Sequence, residues 1–218
     1  MTATIKVFVA DDHQIFRQGL IKLLESESSI NIVGENGDGA EAFQLIKQLT
    51  PDIAILDISM PRMNGLEIVK QIKKQDLPVE FIILTMYDDE EYFNEAVDRG
   101  VKGYLLKDNA ISDLLNCVKA VTQGKYYVSP LISEYLINRE RKIRKFQNEN
   151  PGINILTETE KRILILIAEN KTSKEIADFL FISYRTVQNH RTNICNKLSL
   201  KGQNRLLQFA IENKHLLR

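Results

Sequence analysis

The sequence predicts an α/β domain with a doubly wound, five-stranded parallel sheet, followed by a smaller all-helical domain. In the first half of the chain, short apolar runs rich in Val, Ile and Phe alternate with helical patterns, as expected for buried parallel strands joined by helices. After residue 155 only helical patterns occur. We therefore predict a first domain at 1–124, a helical or flexible linker at 125–154 and a second domain at 155–218.

The elements of the first domain follow in order along the chain. Five strands are expected: four have apolar runs, at 7–10, 53–56, 81–84 and 104–106, and a second strand is expected over 30–35. Helices are expected over roughly 14–26, 39–49, 65–75, 89–99 and 111–123, the last with apolar residues at helical spacing. Strands and helices that alternate in this way imply a flavodoxin-like parallel sheet with helices on both faces.

The second domain is marked by three helix starts. Thr157 with Glu160, and Thr172 with Glu175, have the spacing of a capping box, in which each residue accepts a backbone N–H of the other. Ser183 is a third N-cap candidate. The helices that begin there are expected to end near 168, 180 and 198, and a fourth is expected over about 203–213.

Charge is distributed unevenly, although the 29 basic and 29 acidic residues balance. Residues 1–124 hold 12 basic and 20 acidic side chains, whereas residues 155–218 hold 11 and 6. A basic second domain is a weak indication of nucleic-acid binding, and an ordinary solvated surface accounts for the count as well. Between the domains, a polar stretch ends in Pro151-Gly152, which is typical of a hinge.

The composition favours a cytoplasmic protein. The two cysteines lie in different predicted domains, without the spacing of a metal site or a disulfide framework. No apolar stretch approaches the roughly 20 residues of a membrane helix. The first residues lack the pattern of a signal peptide, so we expect no membrane association.

Polar side chains follow four of the predicted strands where each strand ends. Asp11-Asp12 follows the first, Asp57 the third, Thr85 the fourth and Lys107 the fifth. A single Asp in such a place is usually a helix cap, but the carboxyl ends of parallel strands share one edge of the sheet, where ligands bind. Carboxylates there suit Mg²⁺, and an Asp can accept a phosphoryl group.

These sites resemble the receiver domain of bacterial two-component response regulators. The matching motifs are residues 11–13, 57–65, 84–85 and 103–107, which occur in the family's order. The resemblance implies that a sensor histidine kinase phosphorylates Asp57. It implies four Mg²⁺ ligands, namely the carboxylates of Asp11, Asp12 and Asp57 and the backbone carbonyl of Ser59. Thr85 and Lys107 would hold phosphoryl oxygens, and Tyr104 would be the aromatic residue that turns inward when Thr85 moves.

The helical domain contains a helix-turn-helix pattern over residues 172–198. Val187, Ile194 and Leu198 share one face of its second helix and are expected to pack inward. The other faces carry amide and cationic side chains, the types that contact base edges and phosphates. A basic four-helix interaction domain without DNA is the alternative.

Residues 155–218 are similar to the LuxR-type helix-turn-helix, so the whole chain resembles a response regulator of the NarL/FixJ class. The matching motifs are residues 156–160, 174–177, 183–190 and 197–198. The resemblance implies base contacts from Gln188, Asn189 and Thr192. It implies phosphate contacts from Arg185, Arg191 and Lys197. In such proteins the last helix forms the dimer face, which here would comprise Leu206, Phe209 and Ala210.

The resulting hypothesis is a transcription regulator switched by phosphorylation. Phosphorylation of Asp57 would favour a homodimer that binds a double-stranded DNA operator, and the chain would catalyse only its own phosphoryl transfer and slow autodephosphorylation. The alternative is an Mg²⁺-dependent phosphatase with Asp57 as nucleophile. Such enzymes often carry a second Asp two residues on, where this chain has Ser59. A third class, a pure interaction module, is disfavoured by the helix at 183–198.

Overall fold

A computed structural model describes residues 4–86, 89–202 and 204–217. The chain forms two compact units, Met1–Leu136 and Ile137–Arg218. Among the helices of these described ranges, none has both the length and the apolar character needed to cross a bilayer.

The first unit is built on one parallel sheet. Its strands are β1 (Ile5–Ala10), β2 (Ile30–Asn36), β3 (Ile53–Asp57), β4 (Glu80–Thr85), β5 (Gly103–Leu106) and β6 (Tyr127–Val128). They lie in the order β2-β1-β3-β4-β5-β6, and every pair is parallel. The expectation of five strands is corrected to six. The extra strand, β6, has two residues and lies in the segment assigned to the linker, where it is too short to show an apolar pattern.

Helices cover both faces of this sheet, which confirms the doubly wound architecture. They are α1 (Gln14–Glu25), α2 (Gly39–Leu49), α3 (Gly65–Lys73), α4 (Glu90–Asp98) and α5 (Ala110–Thr122). Alternate strand residues point to opposite faces. Phe8 and Phe81 therefore pack with α2, α3 and α4, whereas Val7 and Ile82 pack with α1 and α5. Because both faces of the sheet are covered, the central strands β3 and β5 are buried along their whole length and are apolar until they reach the carboxyl edge.

The segment after α5 is partly helical. Helix α6 spans Ser133–Glu149, and a short 3-10 helix covers Pro151–Ile155. Phe146 of α6 is buried in the core of the second unit. Its ring lies 5.9 Å from that of Phe209, between ring centroids.

The second unit contains the four helices that the sequence predicts. They are α7 (Glu158–Ala168), α8 (Ser173–Leu180), α9 (Tyr184–Lys197) and α10 (Arg205–Glu212). Both predicted capping boxes are present, and the Ser183 hydroxyl accepts the backbone N–H of Thr186 at the start of α9. Val187 and Ile194 are buried in the core as expected. Gln203, where the fourth helix was expected to begin, lies outside the described residues.

The side chains of α10 that were predicted to form a dimer face pack within their own unit. Leu206 and Ala210 are buried in the core of the second unit, and Phe209 packs against Phe146. Leu206 and Ala210 could contact a partner only if the unit opened, whereas a dimer contact through the half-buried Phe209 stays a prediction. The exposed residues of α10 on which an interface could form include Gln208, Ile211 and Glu212.

Candidate functional site

Four polar side chains meet at the carboxyl edge of the sheet. Asp11 follows β1, Asp57 ends β3, Thr85 ends β4 and Lys107 follows β5. Each of the four is at most 6% exposed. Burying a charge is costly unless the charge is paired, so an arrangement of this kind points to a site rather than to ordinary caps.

The Lys107 ammonium joins two of the carboxylates. Its Nζ lies 2.7 Å from Asp11 Oδ2 and 2.8 Å from Asp57 Oδ2. Burial lowers the pKa of Lys107, but the hydrogen bonds to Asp11 and Asp57 outweigh burial and leave the pKa above its usual value. Lys107 is therefore a positive charge held between the two carboxyl groups.

The Asp57 carboxyl responds differently to the same surroundings. Burial raises its pKa, and the neighbouring Asp11 carboxylate adds to this increase. The hydrogen bonds from Lys107 and from the backbone of Ser59 oppose it without cancelling it. Lys107 therefore does not fully balance the negative charge of ionised Asp57, and a further positive charge nearby would stabilise it.

The donor atoms of the crevice fit a hard divalent cation. Ligand atoms from Asp11, Asp12, His13 and Asp57 all lie within 4.8 Å of one another. Three of these residues offer carboxylate oxygens, which Mg²⁺ prefers. The fourth, His13, has its Nδ1 2.8 Å from Asp12 Oδ1, so the imidazole is placed to orient Asp12. The backbone N–H of His13 donates to Asp11 Oδ1 at 2.9 Å.

Ser59 lies in the loop between β3 and α3, and this loop is tied to the start of α2. The Gly39 N–H donates to the carbonyl of Pro61 at 3.0 Å. A Cβ on Gly39 would lie 1.7 Å from the Met63 carbonyl oxygen, so only glycine permits the approach. The guanidinium of Arg62 donates to both Asp38 and Glu41.

Arg62 holds this loop despite an unfavourable backbone conformation. Its φ is 66°, in the left-handed region that favours glycine. Hydrogen bonds from the Arg62 guanidinium hold the pKa values of Asp38 and Glu41 below their usual range. All three residues therefore remain charged, and the forked contact fixes the loop that carries Ser59.

Tyr104 lies in β5, one strand from Thr85. Its ring is buried and meets Phe93 of α4 edge to face, with centroids 5.3 Å apart and planes at 83°. Thr85 pairs with Leu106 in the ladder between β4 and β5. Tyr104 therefore lies in the strand that pairs with Thr85 and contacts helix α4 through Phe93.

Helix α9 presents a polar face opposite its buried Val187 and Ile194. Of the residues predicted to contact DNA, Arg185, Asn189 and Thr192 are exposed. Gln188, Arg191 and Lys197 are half-buried. Exposed Asn193 and Asn196 extend this face toward the end of the helix.

Comparison with known families accounts for both units. Residues 7–119 match the family described as response regulator receiver domain, and residues 154–210 match the bacterial regulatory proteins of the luxR family. The chain belongs to the two-component response regulators. The predicted fold class, with a receiver domain and a LuxR-type helix-turn-helix domain, is confirmed for this response regulator.

Relatives align along nearly the whole response regulator. The oxygen regulatory protein NreC of Staphylococcus carnosus (strain TM300) is 36% identical over 215 residues, which cover 97% of this chain and 99% of the relative. A structure of two RcsB dimers bound to two parallel DNAs shares 28% identity and a TM-score of 0.57, covering 97% of this chain and 98% of that one.

A third relative covers the receiver alone. The isolated receiver domain of RcsB from Salmonella enterica serovar Typhimurium was solved with the phosphomimetic BeF₃⁻. It is 30% identical, has a TM-score of 0.57, and covers 61% of this chain and 98% of that one.

Two positioning residues of the receiver were missed by the sequence analysis. Arg62 is one, and Arg17 is the other. Arg17 Nε donates to Glu35 at 2.7 Å, and its Nη1 donates to the backbone carbonyl of Asp11. Neither arginine follows a strand end, so the signal that identified the crevice could not find them.

We predict that Asp57→Asn unfolds at a higher temperature than the parent at pH 7 without a divalent cation. The folded state raises the pKa of Asp57, so ionising this carboxyl costs stability that a neutral amide does not. The difference should disappear as the pH falls below about 4, where the carboxyl is neutral in both states.

Circular dichroism melts at both pH values measure this difference. Asp108→Asn, which removes an exposed carboxylate beside Lys107 in sequence, is the control and should leave the melting temperature unchanged. An Asp57→Asn variant that melts with the parent at pH 7 would contradict the electrostatic account of the crevice.

Proposed function

We propose that a sensor histidine kinase transfers a phosphoryl group to Asp57, and that the acyl phosphate controls binding of the protein to a double-stranded DNA operator. The observation that carries the proposal is the Lys107 ammonium, held 2.8 Å from Asp57 and 2.7 Å from Asp11. This fixed cation lies where a phosphoryl group on Asp57 would bring negative charge. The structure of the RcsB receiver in the presence of phosphomimetic BeF₃⁻ supports the same use of the fold.

The transfer needs little covalent chemistry from the protein. An Asp57 oxygen attacks the phosphorus of a phosphohistidine, the P–N bond breaks, and the imidazole of the kinase leaves. Lys107 and the Thr85 hydroxyl stabilise the charge that spreads over the phosphoryl oxygens. Their burial strengthens these interactions, because water competes poorly for them.

Mg²⁺ is the proposed cofactor. Asp11, Asp12, Asp57 and the backbone carbonyl of Ser59 would hold it, with Asp11 acting mainly through water. When bound, it supplies positive charge to the carboxylates and to the phosphoryl oxygens. The acidic cluster supports this choice, since oxygen donors in this number suit Mg²⁺ better than a softer metal.

The switch begins at Thr85. The Thr85 hydroxyl moves to a phosphoryl oxygen, and Tyr104 follows into the space that Thr85 leaves. Because Tyr104 packs against Phe93, its movement changes the packing of α4. Phosphorylation thereby shifts a two-state equilibrium in the receiver toward the form that dimerises.

The second unit supplies the DNA contacts. Gln188, Asn189 and Thr192 would contact base edges, and Arg185 and Arg191 would contact phosphates. A homodimer presents two copies of α9 to half-sites one helical turn apart. The RcsB dimers bound to DNA support this arrangement. A kinase and an operator as partners imply a cytoplasmic location.

We propose no enzymatic activity on outside substrates. The chain would catalyse only its own phosphoryl transfer and a slow autodephosphorylation. Ser59, two residues after Asp57, offers no general acid for turnover of the kind a phosphatase uses. Hydrolysis of a generic phosphomonoester should therefore be negligible, and Asp57-dependent turnover would instead favour the phosphatase alternative.

The direct test of the switch is the affinity for operator DNA, selected from random duplexes with the phosphorylated protein. An acyl-phosphate donor with Mg²⁺ should tighten binding by about tenfold or more, a usual size for allosteric coupling. Asp57→Ala should abolish this response while Asp108→Ala, which removes an exposed carboxylate, keeps it. If the donor tightened operator binding by Asp57→Ala as much as by the parent, the proposal would be wrong.

Arg62→Gly is expected to weaken Mg²⁺ binding about tenfold, as loss of a supporting contact to a metal site commonly does. Glycine relieves the positive φ, so reduced affinity could not be assigned to backbone strain. Titration calorimetry with Mg²⁺ measures the effect. Lys22→Ala, which removes an exposed cation of α1, is the control and should bind Mg²⁺ like the parent. An unchanged Mg²⁺ affinity in Arg62→Gly would show that the contacts of Arg62 with Asp38 and Glu41 do not support the metal site.

A further inference from the structure

The last cation of α9 already has a partner within its own unit. Lys197 Nζ lies 2.6 Å from Glu160 Oε2 of α7. The Glu160 side chain is 3% exposed and that of Lys197 is 29% exposed. A carboxylate with so little contact to water depends on its cation, because an unpaired buried charge is strongly destabilising.

The Glu160 side chain is held in place by hydrogen bonds, so it could not move with Lys197 if the ammonium turned toward DNA. Its Oε2 also accepts the backbone N–H of Thr157 at 2.7 Å, and its own N–H donates to the Thr157 hydroxyl. Burial opposes ionisation of Glu160, but the hydrogen bonds from Lys197 and Thr157 prevail and hold its pKa below the usual value. The carboxylate is thus fixed to the start of α7.

A second contact restrains the same turn of α9. A Cβ on Gly152 would lie 2.1 Å from the carbonyl oxygen of Lys197 and 3.2 Å from the Cα of Leu198. The segment before α7 therefore approaches the end of α9 as closely as glycine allows. Backbone packing and the ion pair together fix the carboxyl end of this helix.

We propose that Lys197 is a positioning residue, which sets the placement of α9 through its ion pair with Glu160, and that it makes no contact with DNA phosphate. This inference rests on the proposed DNA-binding function. To reach a phosphate, the ammonium would have to leave a buried carboxylate behind. Arg185, in contrast, is exposed on the face of α9 that points away from the core.

The two roles differ in their dependence on salt and sequence. Loss of a phosphate contact weakens binding to all duplexes alike, and it reduces the slope of log affinity against log salt by about 0.9 per contact. A misplaced helix instead loses base contacts, so binding to the operator falls while the slope stays the same.

The test uses the phosphorylated full chain with its selected operator and with an unrelated duplex, over a range of salt concentrations. Lys197→Met should weaken operator binding about tenfold, comparable with one mismatched base pair, with a smaller loss on the unrelated duplex and an unchanged slope. Arg185→Met is the matched control. It should weaken both duplexes equally and reduce the slope.

Glu160→Gln separates the two roles most clearly. Removing a negative charge from a DNA-binding unit should tighten binding if only overall electrostatics matter. Positioning requires the opposite result, an operator-specific loss similar to that of Lys197→Met. The double variant Glu160→Gln/Lys197→Met leaves no unpaired buried charge and should fold, so the salt slope can be measured even if a single variant unfolds.

Two results for Lys197→Met would together overturn the inference and leave the proposed function intact. The slope of log affinity against log salt would fall by about 0.9, the value for one phosphate contact, and affinity for both duplexes would fall equally. The same fall in the double variant would overturn it as well. A parent chain that binds neither duplex would overturn the proposed function and the inference together.

Discussion

The receiver depends on one buried ammonium between two carboxylates. Lys107 follows β5, whereas Asp11 follows β1 and Asp57 ends β3, so the contact joins three strands at one edge of the sheet. Two carboxylates could not be buried this close without it, because they would repel each other at low dielectric. The negative charge that remains, with Asp12 beside it, is what a divalent cation would balance.

The second unit uses a buried ion pair for a different purpose. At the crevice, the charges face the place where a ligand would bind, and the pair leaves Asp57 short of positive charge. Between α7 and α9, the charges of Glu160 and Lys197 are satisfied by each other and by the backbone of Thr157, within the same unit. The same interaction can thus create a reactive site or hold a helix in place, depending on whether its charges are balanced.

Sequence patterns predicted the features of the structure that depend on neighbouring residues in the chain. The polar strand ends stood out because buried parallel strands are otherwise apolar, and the capping boxes of α7 and α8 follow from fixed spacings. Tertiary contacts could not be predicted in this way. Leu206 and Ala210 form an apolar stripe, and a stripe looks the same whether it packs within a chain or against a partner. Lys197 looks the same whether it faces DNA or a carboxylate 37 positions earlier.

The proposed switch requires that Asp57 becomes covalently phosphorylated. Mass spectrometry of the intact protein, after incubation with a small acyl-phosphate donor and Mg²⁺, measures this step. We expect the parent to gain the mass of one phosphoryl group and Asp57→Asn to gain none. An equal gain in Asp57→Asn would show that the phosphoryl group lies on another residue and that Asp57 is not the acceptor.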